Sequence, residues 1–175
     1  MRPSSALTAA LTTAAALALT ATGAVGTATA GTSAAPAPCR EKVLRITASP
    51  GAESGTARIA VANQGARSCA VDRIPTVTFT GLDGSAEPVP PATSGPYVLS
   101  PGERGYAAVR TAERGSDQGH VVGSISVAAD PGHYGVTFSA ASVGMDAGIR
   151  VWSPVTTLWH STRDAADAAL AAATR

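Results

Sequence analysis

The sequence has few charged residues, and this shortage excludes several classes of partner. Only 14% of its 175 residues are Asp, Glu, Lys or Arg, and the formal net charge is +1. Arg2 is the only charged residue before Arg40, and without it the chain carries as many basic as acidic side chains. Nucleic acids and anionic lipid surfaces both attract concentrated positive charge. We therefore expect neither as a partner.

Charge is absent altogether from residues 6–25, which consist mainly of Ala, Leu and Thr. An apolar run behind a single basic residue, followed by small residues at Ala28-Thr29-Ala30, is the layout of a signal peptide. A membrane-spanning helix is the alternative, but several threonines dilute the run and no basic stop-transfer residues follow it. We predict a signal peptide over residues 1–30, cut within several residues of Ala30, and no membrane span after its removal.

A lipid anchor on Cys39 is a second alternative, because this cysteine lies soon after the apolar run. Ala35-Pro36-Ala37-Pro38 precedes it, and a proline ring beside the cleavage site is unlike a lipoprotein signal. Residues 31–38 are small and contain proline, which predicts a disordered spacer. We expect a secreted, extracellular protein, with attachment to the cell wall left open.

Cysteine is scarce, with Cys39 and Cys69 as the whole inventory. An even pair in an exported chain most often forms a disulfide. Closing a loop of this length stabilises the fold by about 3 to 4 kcal/mol in the chain-entropy model. A metal pair or a reactive thiol is the alternative, but no second Cys or His pair stands at ligand spacing.

Residues 39–155 show short alternating or β-branched runs separated by Gly, Pro, Asp and Ser. This pattern predicts a mainly β domain, an antiparallel β-sandwich that is immunoglobulin-like in the broad sense. The expected strands are 42–48, 56–63, 69–73, 76–80, 97–99, 105–111, 121–128, 134–139 and 148–153. Side chains two apart point to one core, and the pairs expected there are Ile59 with Val61, Val77 with Phe79, Ile125 with Val127, Val136 with Phe138, and Ile149 with Val151.

Residues 156–175 change composition and predict a partly helical tail. Ser161 followed by Asp164 favours a helix start, and an alanine-rich run continues through Ala173. Leu170 is nearly the only large apolar residue there, so we expect a short helix that docks loosely.

Histidine, another scarce residue, offers weak support for an enzyme. His120 and His133 follow turn-like segments, and the nearest acidic candidates for a shared site are Asp130 and Asp146. Met145 and His160 complete the residues that could bind a soft metal or move a proton. No Gly-x-Ser-x-Gly, His-x-His or phosphate-binding glycine motif is present. We predict no catalytic residue, metal ligand or cofactor; a secreted hydrolase or metal-dependent enzyme is the alternative, and it would bring two of these groups into contact.

Aromatic residues make up only 4% of the chain, which excludes a long sugar-binding row of exposed rings. Trp152 alternates away from Val151 and lies near Trp159 in sequence. The two tryptophans are our candidate binding patch, for cell-wall polysaccharide or another secreted protein. The alternative is that Trp152 closes the sandwich and Trp159 pins the tail.

One set of residues has a familiar order and spacing: Cys39 with Val43-Leu44, residues 59–69 ending in Cys69, Pro75-Thr76-Val77, Asp83-Gly84, and Leu99 to Glu103. This stretch resembles domain of unknown function 4232, a family of secreted proteins of high-GC Gram-positive bacteria. The resemblance implies a β-sandwich-like domain and carries no established activity or catalytic residue. We therefore predict a secreted, non-catalytic domain that acts as a binding module.

Overall fold

The computed structural model describes residues 36–174. The predicted signal peptide and residues 31–35 of the predicted spacer lie outside the described residues. The strands are β1 (Leu44–Pro50), β2 (Thr56–Asn63), β3 (Cys69–Asp72), β4 (Thr76–Phe79), β5 (Glu87–Val89), β6 (Pro96–Leu99), β7 (Arg104–Arg110), β8 (His120–Val122), β9 (Ser124–Ala128), β10 (Val136–Ser139), β11 (Ile149–Val151) and β12 (Val155–Thr157). One helix, α1 (Arg163–Ala173), follows, and short 3-10 turns occupy Glu41–Val43 and Ala141–Val143.

The strands form a five-stranded sheet in the order β1-β2-β7-β12-β5, a three-stranded sheet β10-β9-β4, and the ribbons β11-β8 and β3-β6. Neighbours pair antiparallel except β12 and β5, which run parallel. The predicted mainly β, antiparallel, sandwich-like fold with a short C-terminal helix is confirmed. Among residues 36–174, no helix is both long enough and apolar enough to cross a bilayer.

The main core lies between the five-stranded and three-stranded sheets. Alternation along β2 buries Ile59 and Val61, and these meet Val77, Ile125 and Val127 of the other sheet in one apolar cluster. Burying such side chains is the main favourable term in folding. These residues, with Phe79, Ile149 and Val151, confirm four of the five predicted inward-facing pairs.

The fifth predicted pair, Val136 with Phe138, is wrong. Val136 is 42% exposed, and Phe138 packs only partly against the core. Both lie on β10, which is an edge strand of its sheet and has a neighbour on one side only. The alternating pattern does not distinguish an edge strand from a central one.

The predicted strand over 121–128 is two strands in the structure. β8 pairs with β11, whereas β9 pairs with β10 and β4, and the chain changes sheet at Gly123. A glycine inside a run of strand-forming residues often marks such a bend.

Ordered pairing begins earlier than the expected end of the spacer at Pro38. The Ala70 amide donates to the Ala37 carbonyl at 2.9 Å, and the Cys39 amide donates to the Ala70 carbonyl at 2.8 Å. The predicted disulfide between Cys39 and Cys69 is present and fastens the same segment to β3.

The C-terminal segment is more closely integrated than the sequence suggested. β12 lies between β7 and β5 in the five-stranded sheet, and Thr156 and Thr157 are buried. The helix begins within one residue of the predicted start. The hydroxyl that accepts the cap hydrogen bond from the Ala165 amide belongs to Thr162 and not to Ser161. The expected loose docking is wrong.

α1 covers the face of the five-stranded sheet that points away from the main core. Ala166 and Leu170 are buried against Ala108 of β7. The small side chain of Ala108 lets the helix approach closely. A second, smaller apolar cluster therefore holds the helix on the sheet.

Candidate functional site

The two tryptophans predicted as a binding patch have different environments. Trp159 is 4% exposed and belongs to the main core, while its amide donates to the Arg73 carbonyl at 3.0 Å. Trp152 is 41% exposed. The structure therefore places only Trp152 on the surface, and Trp159 fits the alternative in which it pins the C-terminal segment.

Trp152 follows directly after β11 and is held through its backbone. Its amide donates to the Thr111 carbonyl at 2.9 Å, and it forms an isolated parallel bridge with Ala112. The inward side chains of the β8–β11 ribbon, Ile149 and Val151, are buried in the core. The indole therefore extends from a backbone that is fixed on two sides.

The same face of the ribbon carries Arg150 and Val121. These residues are directly opposite each other in the β8–β11 register, and alternation places Arg150 on the same side as Trp152. Val121 is 58% exposed, and Arg150 is exposed with one guanidinium nitrogen donating to the Asp117 carbonyl at 3.1 Å. We refer to Trp152, Arg150, Val121 and Gly119 as the Trp152 face.

Gly119 lies beside Trp152 and cannot carry a side chain. A β-carbon there would lie 2.2 Å from the Val151 carbonyl oxygen, and its φ is +104°. Ser153, on the other side of Trp152, has a φ of +48°, a backbone conformation that costs a non-glycine residue free energy. Strained backbone of this kind is more common at functional sites than elsewhere.

The candidate catalytic and metal-binding groups lie in three different parts of the fold. His120 is exposed at the first residue of β8, Asp130 and His133 share the β9–β10 turn, and Asp146 lies in the loop before β11. Asp130 accepts a hydrogen bond from the Gly132 amide, as in an ordinary turn. Within residues 36–174, no hydrogen bond joins any two of these side chains, and no group of three or more His, Cys, Asp or Glu could hold a metal ion.

Met145 and His160 also have structural surroundings. Met145 packs partly against the main core. His160 is half-buried and exchanges two backbone hydrogen bonds with Tyr106, at 2.7 and 2.8 Å. Burial lowers the pKa of the His160 imidazole below its ordinary value of 6.5, because the charged form loses hydration.

The residues that carry the family resemblance are used to build the fold. Asn63 is fully buried, and its side-chain amide donates to the carbonyls of Arg67 and Leu99 at 2.8 and 2.9 Å. Its side-chain oxygen accepts from the Gly65 amide at 2.8 Å, so every strong hydrogen-bonding group of this amide is satisfied. The backbone of Asn63 pairs with Gly102 and Glu103. The side chain thus ties the end of β2 to the turn that follows it and to β6, and the backbone of the same residue ties it to the turn before β7.

Sequence reasoning missed Tyr134 as an exposed aromatic residue. It lies in the β9–β10 turn and is 97% exposed. The residues around it, Asp130-Pro131-Gly132-His133, are turn-forming and could have indicated this exposure. Tyr134 is the most exposed large hydrophobic residue in the described part of the chain.

Comparison with known proteins identifies the family and nothing beyond it. No curated protein and no solved structure matches the chain significantly. The model of the family described as Domain of unknown function (DUF4232) matches residues 39–159, which run from the first cysteine of the disulfide to the buried Trp159. Since this match covers more than half of the sequence, the chain belongs to the DUF4232 family.

Proposed function

We propose that the chain is an exported, non-catalytic binding module that holds bacterial cell-wall polysaccharide on its Trp152 face. One observation carries this proposal: Trp152 is 41% exposed although its backbone is fixed by β11 and Thr111. An indole ring held in one place can stack on a sugar ring with little loss of conformational entropy.

The composition of the Trp152 face favours a sugar ligand. Arg150 beside the indole has guanidinium N–H groups beyond the one bonded to Asp117, and these can donate to hydroxyl or acidic groups of a polysaccharide. Val121 and Gly119 add apolar contact area and have no long side chain that would hinder a sugar ring from approaching the indole. A stable protein partner would cover roughly 800 Å² on each side. Three side chains and a glycine are a small area for that purpose.

The separation of the polar groups supports a binding role over a hydrolase. General acid–base catalysis needs two groups within reach of one reacting atom. His120 on β8 and Asp146 in the loop before β11 lie in other elements than Asp130 and His133, and the Asp130 carboxylate, which shares a turn with His133, is hydrogen-bonded to the Gly132 amide instead. This arrangement favours a module that binds its ligand without catalysing a reaction.

Export is supported by two independent features. The first thirty residues have the composition of a cleavable leader. The disulfide between Cys39 and Cys69 is of a kind that persists in oxidising compartments outside the cytoplasm.

The test is cosedimentation of the exported protein with purified cell-wall polysaccharide. We expect Trp152→Ala to weaken binding about tenfold or more, since a buried aromatic contact is commonly worth at least that much. Tyr134→Ala is the matched control, because Tyr134 is a more exposed aromatic residue on a different turn. We expect it to bind as the unchanged protein does.

Two results would contradict the proposal. In one, the folded Trp152→Ala variant keeps its affinity for the polysaccharide. In the other, the protein does not bind polysaccharide but binds a secreted protein from culture supernatant through the same face. Trp159→Ala is unsuitable as a test variant, because Trp159 is a core residue whose loss destabilises the fold.

A further inference from the structure

A groove of about 690 Å³ lies between the last turns of α1 and the loops at the ends of β1 and β7. Leu170, Ala171 and Thr174 line its helical wall, and the opposite wall is lined by residues 52–54, Arg110 and residues 112–114. Small-molecule sites in proteins commonly have volumes of roughly 300 to 1,000 Å³. The groove therefore has the size of a site for a small ligand.

Three of the charged residues that line this groove, Asp167, Glu53 and Arg114, are already in ion pairs. Arg58 donates to Asp167 through two nitrogens, with the shortest distance 2.6 Å, and Arg114 pairs with Glu53. Arg110 and Glu113 also line the groove or its rim. Within residues 36–174, neither has an ion-pair partner. One positive and one negative side chain thus remain free.

Arg110 is directed towards the groove by the strand that carries it. It is the last residue of β7 and alternates with Ala108, which packs against α1, so both side chains lie on the helix-covered face of the sheet. Its Nε atom is buried and donates to no acceptor in the described part of the chain. A buried donor without an acceptor costs free energy, which the guanidinium recovers by turning towards an incoming acceptor.

The opposite side of the groove is electronegative. The last carbonyl groups of a helix lack intrahelical partners and carry the negative end of its dipole. α1 has no basic residue in its last turn, and Ala173 and Thr174 at that end line the groove. Glu113 adds a carboxylate on the same side of the groove as Arg110. The unpaired guanidinium of Arg110 therefore lies across the groove from the negative end of the helix.

We propose that this groove binds a small zwitterion, an amino acid or dipeptide with compact side chains. Its carboxylate lies against the guanidinium of Arg110, which can hold both carboxylate oxygens. Its ammonium group lies against the end of α1 and Glu113. Ala112, Ala168 and Ala171 are small apolar lining residues that a compact side chain can contact.

This site goes beyond the proposed polysaccharide contact, since it shares no residue with the Trp152 face. It also depends on a segment outside the family match, which ends at residue 159, whereas α1 covers Arg163–Ala173. The ligand preference of this chain thus does not follow from membership of the family.

The probe is alanyl-alanine, titrated into the isotopically labelled exported protein and followed by NMR. We expect saturable shifts of the Ala112, Leu170 and Ala171 amides. Arg110→Gln weakens binding about tenfold or more, because a charge-assisted pair is lost. Acetyl-alanine, which has no ammonium group, and alanine amide, which has no carboxylate, each bind about fivefold or more weakly than alanyl-alanine.

Arg104→Gln is the matched control, because Arg104 is exposed on the same strand and the same face but lies outside the groove. We expect Arg104→Gln to bind alanyl-alanine as the unchanged protein does. We expect the same of Trp152→Ala, so that failure of this proposal can be distinguished from failure of the polysaccharide proposal. If Arg110→Gln does not fold, Glu113→Gln, a change at an exposed residue, must reduce the preference for alanyl-alanine over acetyl-alanine. Unchanged binding by folded Arg110→Gln, a blocked probe that binds as tightly as alanyl-alanine, or no binding of alanyl-alanine overturns the proposal.

Discussion

Arg58 of β2 and Asp167 of α1, 109 positions apart in the chain, form an ion pair in which Nε and Nη2 both donate to Oδ2, at 2.9 and 2.6 Å. The hydrogen bonds that Arg58 donates to Asp167 raise the pKa of its guanidinium above the ordinary value. This pair lies at the edge of the small apolar cluster made by Ala108, Ala166 and Leu170. It fixes the position of the helix along the sheet, which packing of alanines alone would leave poorly defined.

We expect Asp167→Asn to lower the free energy of unfolding by about 1 kcal/mol, because a paired arginine loses its carboxylate in a partly covered position. Urea denaturation followed by circular dichroism measures this. Glu53→Gln is the control, since Glu53 pairs with Arg114 in solvent and its loss should change stability by less than about 0.3 kcal/mol. Equal losses in the two variants would show that the helix does not depend on its ion pair.

Asn63→Ala should be far more damaging. It leaves the Gly65 amide and the Arg67 and Leu99 carbonyls without their partner, and we expect a loss of about 3 kcal/mol. Thermal and urea unfolding give the value. The neighbouring Gln64→Ala, at an exposed position, should stay within about 0.5 kcal/mol of the unchanged protein, and a similar small effect for Asn63→Ala would contradict the role assigned here.

Stability should fall in mild acid partly because of His160. Its folded-state pKa is lowered below 6.5 by burial, so the unfolded chain takes up a proton more readily than the folded one. The resulting stability is present above pH 6.5 and is lost as the pH falls from there towards the lowered pKa. Unfolding free energies at pH 7.5 and pH 5 should differ less in His160→Gln than in the unchanged protein. His120→Gln, at an exposed position, should keep the full difference.

The exported form should begin near Gly31 and contain a closed disulfide. Intact-mass analysis of protein from the medium should give a mass lower by two hydrogens than the same chain with free Cys39 and Cys69. Alkylation after reduction should then label both cysteines. Two thiols that react without reduction, or a lipid mass on Cys39, would overturn this prediction.

Residue patterns in the sequence predicted the strands whose own side chains alternate between buried and exposed positions. β2 was predicted with its observed bounds, because burial alternates from Ala57 to Asn63 and turn-forming residues flank the strand. β12 was missed although Val155-Thr156-Thr157 is β-branched, since Pro154 and the changed composition behind it resemble the start of a tail. The place of β12 between β7 and β5 is a long-range fact that its own residues do not encode.

The candidate site was predictable to a similar extent. Alternation with Val151 correctly directed Trp152 outwards, whereas the burial of Trp159 depends on a core assembled from distant strands. The groove at Arg110 could not be foreseen, because it exists only once α1 has docked on β7. Sequence distance also hid the pairing of Arg58 with Asp167.

The parallel pairing of β12 with β5 affects the order in which this chain can be assembled. β5 has β12 as its only neighbour in the five-stranded sheet, and β12 is made some sixty-five residues later. A chain synthesised or threaded through a pore from its N-terminus must therefore leave Glu87–Val89 without its sheet partner until residues 155–157 emerge. Early segments can form the β1–β2–β7 layer, but closure of the sheet is a late event, and a chain stopped at Pro154 would expose an open sheet edge at β7 to other molecules.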